Sequence, residues 1–246
     1  VVAVDLLGNP CDYDKIEAIC KKYDLLLIED AAQSFGASYQ GKRCGSFGTI
    51  AATSFFPAKP LGCYGDGGAI FLDSPELNEL CRSLCVHGKG PGGKYDNVRV
   101  GLNSRLDAIQ AAVLLPKLDA LEQYELEARQ AAARRYNEAF AGKFVTPFVA
   151  KNCVSAYAQY ALLAENTQQR DQVTAHLTKQ NIPNMVYYPT PQHKLPVFQN
   201  EAFYGETFQN ALDYCARTFS LPMHPYLTQE EQQRVIETVL KNIDEK

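Results

Sequence analysis

No run of apolar residues in this chain approaches the roughly 20 that a helix needs to cross a bilayer, so a membrane-spanning reading is not supported. Basic residues are not in excess. Lys and Arg total 24 against 28 Asp and Glu, for a net charge of −4, which leaves no electrostatic case for nucleic acid or an anionic membrane surface. No cysteine pair has C-x-x-C spacing among the eight at positions 11, 20, 44, 63, 81, 85, 153 and 215. Cys81 and Cys85 stand one helical turn apart, but His87 would leave on another face, and no metal site is expected. A chain of 246 residues with 46% hydrophobic residues can bury a real core without disulfides, so the cysteines read as reduced thiols of a cytoplasmic protein. Internal repeats and low-complexity segments are absent, and 21% charged residues argue against disorder. Val1–Leu6 carries neither the basic n-region nor the small-residue cleavage site of a secretory signal.

What is present reads as α/β. Val1–Leu6 is an apolar strand broken by Gly8-Asn9-Pro10. Asp12 is expected to cap a helix to about Tyr23, with Ile16, Ile19 and Cys20 as its apolar stripe. Leu25-Leu26-Leu27-Ile28 then predicts a strand covered on both faces, completing a βαβ unit. Glu29 and Asp30 sit at its carboxyl end, where open α/β sheets bind ligands. Thr49–Phe56 and Ala69–Leu72 predict two more strands. Ser74-Pro75 starts a helix that carries Leu77, Leu80, Cys81 and Leu84 inward. Residues 88–97 form a glycine-rich loop. Residues 105–140 read as helix, bent at Pro116.

The remainder alternates again: a strand over Tyr157–Leu163, a helix capped by Thr167 and running to Gln180, a strand at Val186-Tyr187-Tyr188, and a helix over Glu206–Thr218. Thr228 with Glu231 spells a capping box for a last helix. The expected division is a larger domain over 1–124 with a mainly parallel sheet and a smaller α+β domain over 125–246.

The chemistry concentrates in Thr53-Ser54-Phe55-Phe56-Pro57-Ala58-Lys59-Pro60-Leu61-Gly62-Cys63-Tyr64-Gly65-Asp66-Gly67-Gly68. One lysine stands among aromatic, proline and glycine residues just past a strand. Burial of an amine favours its neutral form, and a neutral amine attacks carbonyls, so Lys59 is a candidate Schiff-base lysine. Ile28-Glu29-Asp30-Ala31-Ala32-Gln33-Ser34 supplies a carboxylate partner. A decoy lies nearby. Gly36-Ala37-Ser38-Tyr39-Gln40-Gly41-Lys42-Arg43 matches G-x-x-x-x-G-K, but Arg43 stands where the magnesium-binding Ser or Thr belongs, so the segment reads as a turn.

Four ordered motifs now carry a resemblance: Glu29-Asp30-Ala31-Ala32-Gln33, Ser54-Phe55-Phe56-Pro57-x-Lys59, Gly65-Asp66-Gly67-Gly68 and Gly101-Leu102-Asn103-Ser104-Arg105. Together they resemble the sugar aminotransferases of the DegT/DnrJ/EryC1/StrS family, pyridoxal-phosphate enzymes of the aspartate-aminotransferase (type I) fold. Gln159-Tyr160, Arg170-Asp171, Tyr188-Pro189 with His193, and Leu221-Pro222-Met223 fit the same pattern, which covers essentially the whole chain. Phe55–Gly68 is most similar to the branch acting on UDP-2-acetamido-3-oxo-glucuronic acid.

The resemblance implies roles. Lys59 matches the lysine that joins pyridoxal phosphate as an imine and later moves the substrate proton. Asp30 matches the partner of the pyridine nitrogen. Gln33 matches a residue beside the ring and its 3-oxygen. Ser54 matches a phosphate ligand. Asn103 matches the asparagine that reaches the cofactor phosphate of a neighbouring subunit, which implies a homodimer with a shared site. Arg105 and His193 are candidates for the substrate's anionic groups, with structural salt bridges or hydrogen bonds as the open alternative. The implied reaction moves an amino group, from glutamate, to a keto group of a nucleotide-linked sugar for surface-polysaccharide or O-antigen synthesis. Two alternatives stand beside it: a sugar dehydratase, which in this family has histidine where Lys59 stands, and a catalytically silent fragment or binding module. The family pattern also expects, before Val1, a glycine-threonine or glycine-serine turn and an aromatic residue at the cofactor. The chain is therefore expected to be about the last two-thirds of such an enzyme, with an exposed sheet edge and weak cofactor binding of its own.

Overall fold

Asp12 starts the first helix, α1 (Tyr13–Lys22), by accepting the Lys15 N–H with its side chain. That cap lets the chain turn back after β1 (Val2–Val4) and lay β2 (Ile28–Asp30) parallel beside it. The computed structural model describes residues 1–244. They form two units, Val1–Leu126 with Ala150–Ala156, and Glu127–Val149 with the described residues from Tyr157 onward.

In the first unit, β3 (Ser38–Tyr39), β4 (Lys42–Arg43), β5 (Ile50–Ser54), β6 (Gly68–Phe71) and β7 (Cys153–Val154) follow β2. The main sheet has the order β1-β2-β5-β6. Its first three strands are parallel and β6 returns antiparallel. Ala3, Glu29 and Ala51 are in register on one face and are buried. Val2, Val4 and Ile28 lie on the other face and are exposed. The predicted strand over Leu25–Ile28, covered on both sides, is thus corrected. Leu25 N–H still bonds back to Cys20, closing α1, so extended pairing begins only at Ile28, and Leu26 is 71% exposed. The phosphate-loop decoy is a hairpin. Gln40 and Gly41 are both left-handed, at φ 50° and 83°, and join β3 to β4.

Ser74 accepts the Leu77 N–H and caps α2 (Pro75–Cys85). Its predicted inward stripe is too wide: Leu80 and Leu84 are 40% and 38% exposed, while Leu77 and Cys81 are half-buried. The helical run past residue 105 is α3 (Ala108–Ala120), a π turn (Leu121–Glu125) and α4 (Leu126–Phe140). It continues as α-helix through Pro116, and the departure from α-helical bonding comes in the π turn, where Leu121 is buried against Phe55, Leu61, Cys63 and Leu114.

In the second unit, β8 (Tyr160–Leu163) pairs antiparallel with β9 (Thr218–Leu221). α5 (Thr167–Lys179), α6 (Gln209–Arg217) and α7 (Gln229–Asp244) complete it. Tyr136, Phe140, Tyr160, Leu162, Val173, Leu177, Phe219 and Val239 are fully buried together. The cap of α5 is Asn166, one residue before Thr167, and it accepts the Gln169 N–H. The strand expected from Tyr157 begins at Tyr160 because Tyr157 is left-handed, at φ 44°. Val186–Tyr188 is no strand; only Met185 bridges to Ser220, and Pro189 and Pro191 just beyond lack the N–H a ladder needs. The capping box holds: Glu231 N–H donates to Thr228 Oγ1 at 3.1 Å, and Thr228 N–H to Glu231 Oε2 at 2.9 Å.

Candidate active site

Parallel β1, β2 and β5 bring their carboxyl ends to one edge of the sheet, the edge where open α/β sheets place ligands. Asp30 ends β2 and Ser54 ends β5. Asp30 is in register with Ala52, so Ser54, two residues on, points to the same face. That face is the open one. Asp30 Oδ1 accepts the Ala32 N–H at 3.0 Å, which sets the carboxylate's direction and leaves Oδ2 outside that bond. Ser54 Oγ accepts the Phe56 N–H at 3.3 Å, so its own proton remains to be donated.

Gln33 is nine-tenths buried. Its Oε1 accepts the Leu7 N–H at 2.6 Å. Leu7 is left-handed, at φ 61°, and this strained turn after β1 aims the N–H at Gln33. With the oxygen engaged, the amide's two N–H donors are what Gln33 presents elsewhere.

Lys59 sits in the loop that leaves β5 and returns as β6. The loop closes on itself: Phe55 N–H donates to the Gly67 carbonyl, Cys63 N–H to the Phe55 carbonyl, both at 2.8 Å, and Lys59 N–H to the Phe56 carbonyl at 2.9 Å. Of the residues expected to dry the lysine, Phe55 and Pro60 are buried, whereas Phe56 and Pro57 are exposed. Lys59 itself is half-buried, and among the described residues its ammonium has no acceptor. Gly62 is required here. A Cβ at that position would stand 2.6 Å from the Pro57 carbonyl oxygen and 2.8 Å from that of Phe56.

Asn103 and Arg105 are exposed and lie together: Arg105 Nε and Nη2 both donate to Asn103 Oδ1. Asn103 is placed by a bridge to Val86, flanked by bonds from His87 N–H to Leu102 and from Ser104 N–H to Cys85. His193 lies in the second unit. It is buried edge-on against Phe208, and its Nε2 has no hydrogen-bond partner among the described residues.

Two features escaped sequence reading. Gln110, a lone polar residue in the apolar opening of α3, accepts the Tyr64 N–H at 2.8 Å. Its signal was that isolation. The second is the direction of Glu29, which the sequence placed with Asp30 at the ligand edge. The side chain points away from Asp30 into the covered face, fully buried beside Asp5. Glu29 accepts the Gly45 and Phe47 N–H groups; Asp5 accepts from Cys11 N–H, Tyr13 O–H and Ser34 O–H. Burial first, with the Asp5 carboxylate adding to it, pushes the Glu29 carboxyl up to about 7. Ligand atoms of Asp5, Glu29 and Cys44 lie within 4.8 Å of one another, but all four carboxylate oxygens already accept hydrogen bonds, as in a buried structural network. No helix among the described residues is long and apolar enough to cross a membrane.

By their chemistry, Asp30, Gln33, Ser54 and Lys59 suit pyridoxal phosphate: a carboxylate with one oxygen outside its hydrogen bond, an amide presenting N–H groups, a hydroxyl with a proton to donate and a primary amine without a partner among the described residues. Comparison with known proteins agrees. Residues 1–240 match the model of the DegT/DnrJ/EryC1/StrS aminotransferase family. The chain is 46% identical over 228 residues, 92% of its length, to the UDP-2-acetamido-2-deoxy-3-oxo-D-glucuronate aminotransferase of Pseudomonas aeruginosa, spanning 61% of that protein. It is 35% identical to the dTDP-3-amino-3,4,6-trideoxy-alpha-D-glucose transaminase of Streptomyces venezuelae, with 97% of this chain and 62% of that one covered. The crystal structure of a DegT DnrJ EryC1 StrS aminotransferase from Brucella abortus superposes with a TM-score of 0.92 at 45% identity, covering 98% of this chain and 63% of that one. This chain therefore spans less than two-thirds of the length of these relatives, and it belongs to the DegT/DnrJ/EryC1/StrS aminotransferase family, whose enzymes depend on pyridoxal 5′-phosphate.

Proposed function

We propose that a protein carrying this chain is an aminotransferase that moves an amino group from glutamate to a keto group of a nucleotide-linked sugar. One observation carries the reading. Asp30 and Ser54 share a sheet face at the carboxyl edge, and the loop that starts after Ser54 holds an ammonium with no partner among the described residues. Bound there, pyridoxal phosphate supplies an aldehyde and an electron-withdrawing ring.

The chain's own residues do the rest. Asp30 Oδ2 holds a proton on the pyridine nitrogen, and the Ala32 N–H keeps the carboxylate aimed. Gln33 donates toward the ring's 3-oxygen because Leu7 occupies its acceptor. Ser54 donates its hydroxyl proton to the phosphate. Lys59 Nζ would hold the cofactor's aldehyde covalently and, in its free form, would carry the proton to and from the α-carbon of the amino donor. Asn103, exposed on a braced strand-like segment, reaches the phosphate of a second subunit, so the working unit is a homodimer. Arg105 brings an always-charged guanidinium to the substrate's anionic groups. His193 is assigned to an anionic group of the sugar nucleotide, its Nε2 having no hydrogen-bond partner among the described residues.

For the substrate we assign UDP-2-acetamido-2-deoxy-3-oxo-glucuronate, on the way to a surface polysaccharide such as O-antigen, in the cytoplasm. The 46% identity to the enzyme named for that substrate supports this choice over dTDP-sugars. Addition of pyridoxal phosphate to the full-length protein should produce a visible absorption band that Lys59→Ala removes; a band unchanged in the variant overturns the reading. Turnover with glutamate against UDP- and dTDP-linked keto-sugars then tests the substrate, and preference for a dTDP-sugar refutes that assignment.

A further inference from the structure

Gln110 belongs to the first turn of α3, yet its side chain acts on another stretch of chain. Its Oε1 accepts the Tyr64 N–H at 2.8 Å. Its Nε2 comes so close to Gly65 that a Cβ there would lie 3.0 Å away. The amide thus covers the Tyr64–Gly65 peptide, and a side chain at position 65 would press on it. The Tyr64 side chain is 81% exposed and anchors nothing.

From Tyr64 the restraint runs back toward Lys59 through named contacts. Cys63 Sγ lies 3.0 Å from the carbonyl oxygens of both Phe55 and Gly65, tying the two limbs of the loop. Gly62 packs against the Phe56 and Pro57 carbonyls. Phe56 accepts the Lys59 N–H. The base of the loop is held by β5 and β6, and its far limb by Gln110.

We infer that Gln110 is a positioning residue for Lys59: by holding the Tyr64 N–H it fixes the far limb of the Phe55–Gly67 loop, and with it the direction from which Lys59 Nζ meets a bound aldehyde. The inference rests on the function proposed for Lys59. In the step concerned, the Lys59 nitrogen forms a bond to the aldehyde carbon, and the aldehyde oxygen leaves as water with both protons of the neutral amine. Gln110 touches none of these atoms; it acts through the loop.

Two substitutions separate anchoring from packing. Gln110→Met keeps the length and bulk of the side chain and removes the acceptor. Gln110→Glu keeps an acceptor oxygen. Each protein is mixed with pyridoxal 5′-phosphate, fixed with borohydride at timed intervals, and mapped for label on Lys59. Hydrogen exchange of the peptide spanning residues 59–67 is followed in parallel, without cofactor. Loss of one hydrogen bond, about fivefold in an equilibrium, sets the scale. Gln110→Met should label Lys59 about fivefold more slowly and exchange the Tyr64 amide faster, while Gln110→Glu should label within about twofold of the parent. Gly65→Ala, which presses on the same amide from the loop side, should slow labelling as well, and it serves if Gln110→Met does not fold. Parent-like labelling of Gln110→Met or Gly65→Ala, or equal slowing of Gln110→Glu and Gln110→Met, overturns the inference while Lys59 keeps its role. A parent labelled elsewhere than Lys59 overturns both.

Discussion

The Arg105 guanidinium donates to Asn103 Oδ1 twice, from Nε at 3.0 Å and from Nη2 at 2.8 Å. A neutral amide thus orients the arginine without cancelling its charge, and the bond engages the Asn103 oxygen rather than its amide nitrogen. The two residues form one unit. Arg105→Ala should raise KM for the sugar nucleotide by about tenfold to a hundredfold, the scale of a hydrogen bond to a charged group, with a smaller change in kcat. Steady-state kinetics decide it; an unchanged KM removes Arg105 from the substrate site.

Asp30→Asn preserves the oxygen that accepts the Ala32 N–H and deletes only the charge. The backbone turn should survive, with thermal stability near that of the parent. Turnover should fall on the order of a hundredfold, as when one preorganised electrostatic partner is lost. Melting and rate measurements on the same sample check this, and full turnover in the variant would detach Asp30 from the ring nitrogen.

Glu29 makes stability depend on pH. Its carboxyl is raised to about 7 in the fold, chiefly by burial, from an ordinary value of 4.5. The folded form therefore holds the proton more tightly than the unfolded chain. The stabilisation this provides is complete below about pH 4.5 and is lost as pH rises through about 7. Denaturant unfolding between pH 5 and pH 8 should show this decline. Glu29→Gln should flatten it, at a cost of roughly 1–3 kcal/mol because an amide cannot accept from both Gly45 and Phe47 N–H groups. An identical slope in the variant would assign the decline to another group.

Gly62→Ala places a methyl group 2.6 Å from a backbone oxygen, where no flexible side chain can yield. The turn carrying Lys59 must shift. Overpacking of this kind should cost about 1–3 kcal/mol and slow pyridoxal labelling of Lys59. Calorimetry and timed labelling test the two effects separately; a variant matching the parent in both would show that the loop relaxes freely.

Local rules made much of this fold legible. Asp12, Ser74 and the Thr228–Glu231 pair cap helices as read, because a cap needs only a side-chain oxygen and an N–H two or three residues on. The βαβ order and the carboxyl-end placement of Asp30 followed from apolar runs and their spacing. The errors came where distant chain decides. Leu80 and Leu84 share the helical period of buried residues, but they are only partly covered among the described residues, at 40% and 38% exposed. Tyr157 and Val186–Tyr188 have strand composition without an extended backbone or a full ladder to join.

The sequence by itself determined the chemistry: which residue types stand at 30, 33, 54, 59, 103 and 105, and the family pattern they spell. Side-chain identity and short-range order are written along the chain, so no coordinates were needed for them. Only the tertiary structure decided orientation. Neighbouring Glu29 and Asp30 look alike as a pair of acids, yet strand alternation sends one into a hydrogen-bonded interior and the other to the open face. In the same way, the bond from Tyr64 to Gln110 spans 46 residues and no local period announces it; only folding brings an amide on α3 to the loop that holds Lys59.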